Sequence, residues 1–227
     1  REITFESSFV PLSEREGRAM LNHHEEFHKH DKGKFTEEDK LCLSRLEQRL
    51  DGIIEEYLDK NNCDGVFLKF SLRSPKDSIL ASTRMRELLE LELEEFGDIG
   101  NNDNKHEITA SDRMIAFVRA QSKCLKVNNG STALANLLSS KRIFTDLMLA
   151  FLQDSFELEL ILRRWSDDFQ TELEFRGFVF NKNFTCLTQY YHLLHIPYIV
   201  EHHKEISDNI RLFWEQNMKE LVPLENY

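Results

Sequence analysis

The segment Val66–Arg73 constrains the fold more than any other stretch, because its residues alternate between apolar and more polar side chains. Successive side chains of a β-strand point to opposite faces of a sheet, so the more polar face presents Lys69, Ser71 and Arg73. A strand of this kind is typical of an antiparallel sheet with one face in solvent. The turn-forming residues Ser74–Asp77 follow and predict the end of the strand.

Further strands are predicted toward both ends of the chain. Glu157–Trp165 is apolar and strand-like. Leu173–Phe180 and Phe184–Tyr191 predict a hairpin whose turn is Asn181–Asn183. Near the start, Arg1–Val10 predicts an extended arm or strand, because apolar residues occupy its odd positions.

Helices are predicted where apolar residues recur at helical spacing. The clearest start is Thr36, a predicted N-cap that is followed by Glu37, Glu38 and Asp39 in the first turn. The predicted helices are Thr36–Asn61, Arg84–Phe96, Ser111–Leu125, Ile143–Phe151 and Glu205–Leu221. By contrast, Leu12–Lys34 is so polar that it predicts a solvated loop or a short helix.

This order of helices and strands predicts an α+β fold with two lobes and a cleft. We expect an N-terminal lobe over residues 1–156, with a helical insertion at about 84–138, and an incomplete C-terminal lobe over residues 157–227. Together the lobes would form one domain, with Gly97–Lys105 as a linker or loop insertion. Because the chain begins with Arg1 rather than Met, we expect it to be a piece of a longer protein.

Composition excludes several classes of protein. Apolar residues make up 41% and charged residues 30% of the chain, which is typical of a globular protein and not of a disordered one. The net charge of −11 disfavours nucleic acids and anionic membranes as partners. No run of ~18 apolar residues predicts a membrane span. Four cysteines far apart in sequence suit a reducing cytoplasm and form no CxxC pair.

The most conspicuous short motif is His24–His28, which matches the HExxH pattern of zinc proteases. On a helix, its two histidines would share a face and could hold zinc, with Glu25 as the base. However, the surrounding residues lack the apolar side chains that bury such a helix, and no third histidine ligand follows at the metalloprotease spacing. We therefore interpret the motif as part of a solvated polar segment.

Basic residues on the predicted strands offer a different kind of site. The chain has no glycine-rich phosphate loop, so a nucleotide site would have to be built from cationic side chains on a sheet. Lys69 and Arg73, Arg163 or Arg164, and Arg176 could together neutralise a triphosphate. The alternative is that these are ordinary outward charges of strands with one solvated face.

Five stretches of the chain resemble the cell division cycle protein 123 family, and they occur in that family's order. They are Phe67–Ser78 (FLKFSLRSPKDS), Ser139–Leu147 (SSKRIFTDL), Leu160–Trp165 (LILRRW), Leu173–Val179 (LEFRGFV) and Leu187–Tyr191 (LTQYY). The resemblance implies an ATP-grasp-like fold in which two lobes with antiparallel sheets flank a nucleotide cleft. It also implies binding of ATP with Mg and a role in assembling eukaryotic translation initiation factor 2.

The resemblance further implies roles for individual residues. Lys69 would contact the ATP phosphates, and the adjoining loop residues Arg73, Ser74 and Lys76 would lie near the triphosphate. Backbone groups of Leu160–Arg164 would meet the adenine edge. Arg176 would reach the phosphates from the second lobe, supported by Glu174. The implied cofactor-binding residues are therefore Lys69, Arg73, Ser74, Lys76, Leu162, Arg163, Arg164, Glu174 and Arg176.

Two departures from the family pattern affect the metal and the phosphates. The acidic D-x-N strand with which the family holds magnesium has no counterpart in this chain, so no magnesium ligands are predicted. The arginine that follows the family's glutamine is Tyr190 here. No catalytic residue is predicted.

Three functions follow from these observations. The first is an ATP-binding, chaperone-like assembly factor of the cytoplasm and the cell cycle, whose protein partner would be the GTPase subunit of initiation factor 2. The second is an ATP-dependent ligase that activates a carboxylate or transfers a nucleotidyl group, with Lys69 as nucleophile in the latter case. The third is a protein-interaction domain that binds no nucleotide.

Overall fold

The computed structural model describes residues 4–28, 33–78, 83–98 and 107–226. Most of the predicted linker Gly97–Lys105 lies outside these residues. The chain divides into two compact units, Arg1–Leu88 with Gln121–Ser166 and Leu89–Ala120 with Asp167–Tyr227. Helices occur together with antiparallel sheets, which confirms the predicted α+β class. In the described residues, no helix combines the length and the apolar character that crossing a membrane requires.

The first unit contains a four-stranded sheet and most of the buried apolar side chains. Its elements are β1 (Ser7–Leu12), α1 (Glu14–His28), α2 (Glu37–Asn61), β2 (Val66–Phe70), β3 (Lys126–Val127), α5 (Gly130–Ser139), α6 (Lys141–Ala150) and β4 (Leu158–Arg164). Two helices, α3 (Thr83–Asp98) and α4 (Ala110–Lys123), continue from one unit into the other. The predicted helices at Arg84–Phe96, Ser111–Leu125 and Ile143–Phe151 are thus confirmed as α3, α4 and α6.

The sheet has the strand order β1-β4-β2-β3, and every pair is antiparallel. Its register places Leu68 opposite Leu162 and Phe70 opposite Leu160. These four side chains are almost completely buried in a core shared with α1, α2, α5 and α6. The predicted apolar face of Val66–Arg73 is therefore confirmed as far as Phe70, where the strand ends.

The start of α2 follows from its local sequence. The Thr36 hydroxyl accepts a hydrogen bond from the Asp39 backbone N–H, and the Asp39 carboxylate accepts one from the Thr36 N–H. This reciprocal capping box confirms the predicted N-cap. Asp39 is buried and also accepts hydrogen bonds from Arg15 and Asn22 on α1. The cap thus joins two helices as well as starting one.

The prediction that Leu12–Lys34 is a solvated loop or short helix is wrong for most of that segment. Helix α1 has 15 residues and buries Ala19 and Met20 in the core. His24 is also buried, and its ring stacks on Phe144 with centroids 4.0 Å apart. The many charged residues masked a narrow buried stripe, which is enough to hold a helix against a core.

Helix α5 is not among the helices predicted from the sequence, because Asn and Gly are typical of turns. Instead Asn129 is the N-cap, and its side chain accepts a hydrogen bond from the Thr132 N–H. Gly130 lies so close to α2 that a Cβ atom there would lie 2.2 Å from the Glu47 carbonyl oxygen. Glycine permits this approach, and its N–H donates to Asp51 at 2.6 Å.

The second unit contains a two-stranded sheet, parts of α3 and α4, and a long final helix. Its elements include a short 3₁₀ turn (Thr171–Leu173), β5 (Phe175–Phe180), β6 (Asn183–Gln189), α7 (Pro197–Phe213) and a π-helical turn (Trp214–Met218). A small core contains Ile115, Val118, Leu194 and Ile196. This unit therefore has far fewer buried apolar side chains than the first.

Strands β5 and β6 form the predicted hairpin. Asn181 and Lys182 have φ angles of 48° and 56°, so both lie in the left-handed region that a tight two-residue hairpin turn requires. The Lys182 N–H donates to the Glu225 carbonyl oxygen at 2.9 Å. On one side of the hairpin, the Phe184 ring lies 5.9 Å from Trp214.

The final helix begins earlier than predicted. Helix α7 starts at Pro197, at the first helical position, and not at Glu205. Proline is favoured there because its missing N–H would have no partner within the helix. The predicted end at Leu221 is also wrong, since α7 ends at Phe213 and passes into the π-helical turn.

Candidate functional site

The sheet of the first unit has a second face, opposite the core, which we call the outer face. The pairing register places Lys69 opposite Ile161, and Phe67 opposite Arg163. On the neighbouring strand β1, Phe9 lies opposite Ile161 and Ser7 opposite Arg163. Directly paired residues of an antiparallel sheet share a face. The outer face therefore carries Ser7, Phe9, Phe67, Lys69, Ile161 and Arg163.

Two cations on this face are diagonal neighbours. Lys69 lies opposite Ile161, and Arg163 is two residues further along the same strand as Ile161. The Cα atoms of such a diagonal pair are about 7–8 Å apart, a distance at which long side chains can contact the same ligand. In the described part of the chain, neither side chain has a carboxylate within ion-pair distance. Burial lowers the pKa of Lys69, and the nearby positive charge of Arg163 lowers it further. An anion bound here would relieve both effects.

Among the described residues, the polar contacts of the outer face give these two charges no counter-ion. Arg163 donates from Nε to the neutral Ser7 hydroxyl at 3.3 Å. Glu159 lies further along the same face, diagonal to Lys69 in the other direction, but not within ion-pair distance of it. In contrast, Lys126, which lies opposite Phe67, forms an ion pair with Asp64 at 2.7 Å. The cationic pair is thus distinct from the neutralised Lys126.

Apolar groups adjoin the cations. Ile161 is buried, Phe67 is half-buried and the Phe9 ring is 59% exposed. Aromatic and aliphatic surfaces beside fixed positive charges suit a ligand with a flat ring and an anionic group. The outer face can therefore hold both parts of such a molecule.

The loop after β2 is tied to α6. Arg73 donates from Nε to Asp146 at 2.6 Å, and this hydrogen bond raises the pKa of Arg73. The Asp77 carboxylate accepts hydrogen bonds from the Ser140 hydroxyl at 2.5 Å and the Arg142 N–H at 3.2 Å. The charge of Arg73 is therefore already balanced by a partner that sequence spacing did not reveal.

The other predicted residues of this loop are Ser74 and Lys76. Ser74 is buried, whereas Lys76 is half-buried. The loop begins with a tight turn in which the Phe70 N–H donates to the Arg73 carbonyl oxygen at 2.9 Å. Ser74 and Lys76 therefore lie beyond the end of β2, five and seven residues after Lys69 in the chain.

Strand β4 presents few backbone groups to a ligand. Leu162 is completely buried, and β4 pairs with β1 on one side and with β2 on the other. The Arg164 N–H donates to the Glu6 carbonyl oxygen at 3.1 Å. A purine edge would find these backbone groups already paired with β1 and β2, which does not favour the predicted adenine contact of Leu162.

The remaining predicted site residues lie in the second unit. Arg176, on β5, is exposed, and its guanidinium carbon lies 5.0 Å from the centroid of the Tyr190 ring. Glu174 lies just before the strand and is half-buried. Burial raises the pKa of Tyr191 to about 12, with a further contribution from the charge of Glu174. Arg176 is thus available to a solvent-borne ligand.

The second unit also contains a buried ion pair that sequence reasoning missed. Arg119 on α4 donates from Nε to the Glu172 carboxylate at 2.8 Å, and its Nη1 lies 3.9 Å from Glu92. Both glutamates are buried. Burial opposes the charge of Arg119, but its hydrogen bond to Glu172 leaves the pKa of Arg119 raised. A separation of 53 residues gave no sequence signal for this contact.

The described ranges contain no group of three or more His, Cys, Asp and Glu side chains placed to hold a metal ion. The side chain of His28, the last residue of the HExxH match, is not among those described.

Comparison with known proteins adds a family and a fold. The model of the D123 family matches residues 113–227. The structure of Cdc123 from Schizosaccharomyces pombe matches with a TM-score of 0.58 and 17% identity, over 98% of this chain and 70% of that chain. A C-terminally truncated form of the same protein matches with a TM-score of 0.58 and 18% identity, over 100% and 71% of the chains. No curated protein sequence matches the chain.

Proposed function

This chain belongs to the D123 family, the family of Cdc123, and from that premise we propose that it binds ATP through the outer face of its first sheet. We further propose that its fold is ATP-grasp-like. The observation that carries the binding proposal is the cationic pair Lys69 and Arg163, which has no carboxylate counter-ion in the described residues. Two neighbouring cations without a carboxylate partner, in a chain that is acidic overall, provide a site for an anion.

The chemistry of the pair suits a polyphosphate. The Lys69 ammonium can contact a non-bridging phosphate oxygen as a point charge, and the Arg163 guanidinium can contact two oxygens at once. Phe67, which is half-buried, and Phe9, which is exposed, offer an apolar surface to a base. Because charge-assisted hydrogen bonds strengthen where water is partly excluded, the half-burial of Lys69 favours such binding.

The residues of the outer face do not by themselves make a magnesium site. Glu159 is the one carboxylate that the described register places on this face, and three or more such groups are not assembled in the described residues. ATP would act as a ligand that stabilises the form that binds it.

The family also suggests a role for the bound state. We propose that the chain assists assembly of a protein complex in the cytoplasm, with the GTPase subunit of translation initiation factor 2 as the partner. The net charge of −11 is more compatible with a protein partner than with a nucleic acid. Exposed apolar side chains of the second unit, among them Leu193, Val200 and Leu212, support a protein partner as well.

Thermal denaturation with and without ATP tests the binding proposal. At an ATP concentration of one hundred times Kd, binding should stabilise the protein by about 2.7 kcal/mol and raise Tm accordingly. The variants Lys69→Gln and Arg163→Gln should lose this shift, whereas Lys126→Gln, which removes a cation already paired with Asp64, should keep it.

The same experiment separates the alternatives. Without ligand, Lys69→Gln and Arg163→Gln should be no less stable than the natural sequence, because each relieves repulsion between like charges. A shift that survives both substitutions would place the nucleotide elsewhere. Complete absence of an ATP shift in the natural sequence would leave the protein-interaction domain as the function. Arg176→Gln tests the family-derived assignment of Arg176 to the phosphates.

A further inference from the structure

Lys69 differs from three other lysines of the first unit in its charged neighbours. Lys34 forms an ion pair with Glu25 at 2.9 Å, Lys40 with Glu37 at 2.6 Å and Lys126 with Asp64 at 2.7 Å. A carboxylate partner holds a lysine in its protonated form, and the hydrogen bond to Glu37 raises the pKa of Lys40. Lys69 has a cation as its charged neighbour instead.

We propose that Lys69 is a site of covalent modification by small phosphorylated aldehydes, with Arg163 as the anchor for their phosphate group. The geometry supplies both requirements on one face of the sheet. Lys69 is a half-buried residue opposite Ile161, and Arg163 is its diagonal neighbour across the strand pair. A molecule in which a few bonds separate the aldehyde from the phosphate fits that spacing.

The state of the amine supports this chemistry. Only the neutral amine attacks a carbonyl carbon, and a lysine that is desolvated or lies beside another cation is activated in this way. Burial and then Arg163 lower the pKa of Lys69, so its neutral fraction at neutral pH exceeds that of Lys40, whose pKa is raised.

The proposed step is balanced without an oxidant. The Lys69 nitrogen attacks the aldehyde carbon, and the resulting carbinolamine loses one water molecule to form an imine. No electrons are gained or lost by the protein, and the reaction is reversible until a hydride donor such as borohydride reduces the imine to a secondary amine. The phosphate dianion stays intact throughout and pairs with Arg163.

Other charged groups on the face bear on the outcome. Glu159 is the second diagonal neighbour of Lys69, but it forms no ion pair with Lys69, and the charge that shifts the pKa of Lys69 is that of Arg163. Glu159→Gln should therefore leave reaction at Lys69 nearly unchanged. Lys126 lies on the same face but is held by Asp64, so it should react less than Lys69.

Modification would also regulate the site, a consequence that rests on the proposed function. An adduct at Lys69 occupies the amine and places a phosphate against Arg163, so it would exclude a polyphosphate from the outer face. Covalent capture itself requires only the two side chains and their neighbours.

Pyridoxal 5′-phosphate is a suitable probe, because it carries an aldehyde and a phosphate. The full chain is treated with limiting probe, reduced with borohydride, digested and mapped by mass spectrometry. Because the pKa of Lys69 is lowered and that of Lys40 is raised, Lys69 should carry severalfold more label than Lys40. Pyridoxal, which lacks the phosphate, should not show this preference.

Matched variants complete the test. Arg163→Gln should reduce labelling at Lys69 severalfold and leave Lys40 unchanged, and Lys69→Arg should remove the preferred site. Label spread over the lysines according to their exposure, or equal labelling by pyridoxal, would overturn the proposal. Tripolyphosphate that protects Lys69 supports a shared site. If Lys69 is labelled selectively without such protection, the covalent site stands and the proposed ATP site fails.

Discussion

The two compact units differ in how completely they bury their apolar residues. In the first unit, Phe70, Leu160 and Leu162 are completely buried between the sheet and its helices. In the second unit, no residue of α7 is buried, and Phe180 on the hairpin is 59% exposed. The first unit is therefore stabilised mainly by its own core, while the second depends on a few specific contacts. Substitutions in the core of the first unit and at individual contacts of the second unit should show this difference in their effects on the free energy of unfolding.

The largest expected effect is in the core of the first unit. Phe70→Ala should lower the free energy of unfolding by about 3–5 kcal/mol, because it leaves a cavity where a ring was fully buried. The matched substitution Phe180→Ala in the second unit should change it by less than about 0.5 kcal/mol. Urea denaturation measures both values. Similar losses for the two variants would refute the comparison.

A smaller effect is expected at the buried ion pair of the second unit. Arg119→Met should lower the free energy of unfolding by about 3 kcal/mol, because it leaves the buried Glu172 carboxylate without its cation. Hydrogen exchange should show the loss near Thr171–Leu173 and in α4, with little change in β2. As a control, Lys40→Met removes an exposed partner of Glu37 and should cost at most about 0.5 kcal/mol.

The capping box of α2 predicts a pH effect of about 2 kcal/mol. Burial alone would raise the pKa of Asp39, but hydrogen bonds from Thr36, Arg15 and Asn22 outweigh it and lower the pKa from 3.8 to about 2. Because the folded-state pKa is the lower one, this stabilisation is complete above the unfolded value of 3.8 and is lost as the pH falls from there to about 2, which amounts to about 2 kcal/mol.

Acid denaturation of the natural sequence and of Asp39→Asn measures the capping effect. The variant should be less stable at neutral pH, and its stability should fall less steeply between pH 4 and pH 2, where the natural aspartate takes up its proton. Parallel curves for the two proteins would show that Asp39 does not contribute.

The smallest predicted change is a gain. Lys182→Gly should stabilise the hairpin by about 1 kcal/mol, because Lys182 adopts a left-handed conformation that costs less for glycine. Lys182→Ala removes the same charge without this benefit and serves as the control. Thermal denaturation compares them, and equal Tm values for the two variants would count against the conformational explanation.

Much of this fold could be predicted from local sequence. The alternation at Val66–Phe70 and the acidic first turn after Thr36 were sufficient, because each pattern is produced by the neighbouring residues themselves. Helix α5 could not be predicted in this way, since Gly130 is explained only by the approach of α2 from elsewhere in the chain. The charged residues of α1 similarly concealed its buried side.

The candidate site was predictable in part. Lys69 and Arg163 were both predicted, but their placement on one face follows from the pairing register of β2 and β4, which the sequence does not specify. Arg73 illustrates the opposite case, because its partner Asp146 is 73 residues away and neutralises a charge that appeared available. Charges can be counted from a sequence, whereas their counter-ions depend on the tertiary structure.

The edges of the two sheets have a consequence for self-association. The four-stranded sheet ends on one side in a strand of two residues and on the other in β1, where Pro11 lacks a backbone donor. In the described residues, the hairpin has strands of six and seven residues that each pair on one side only. Under heat or acid stress, aggregation should therefore start at the hairpin.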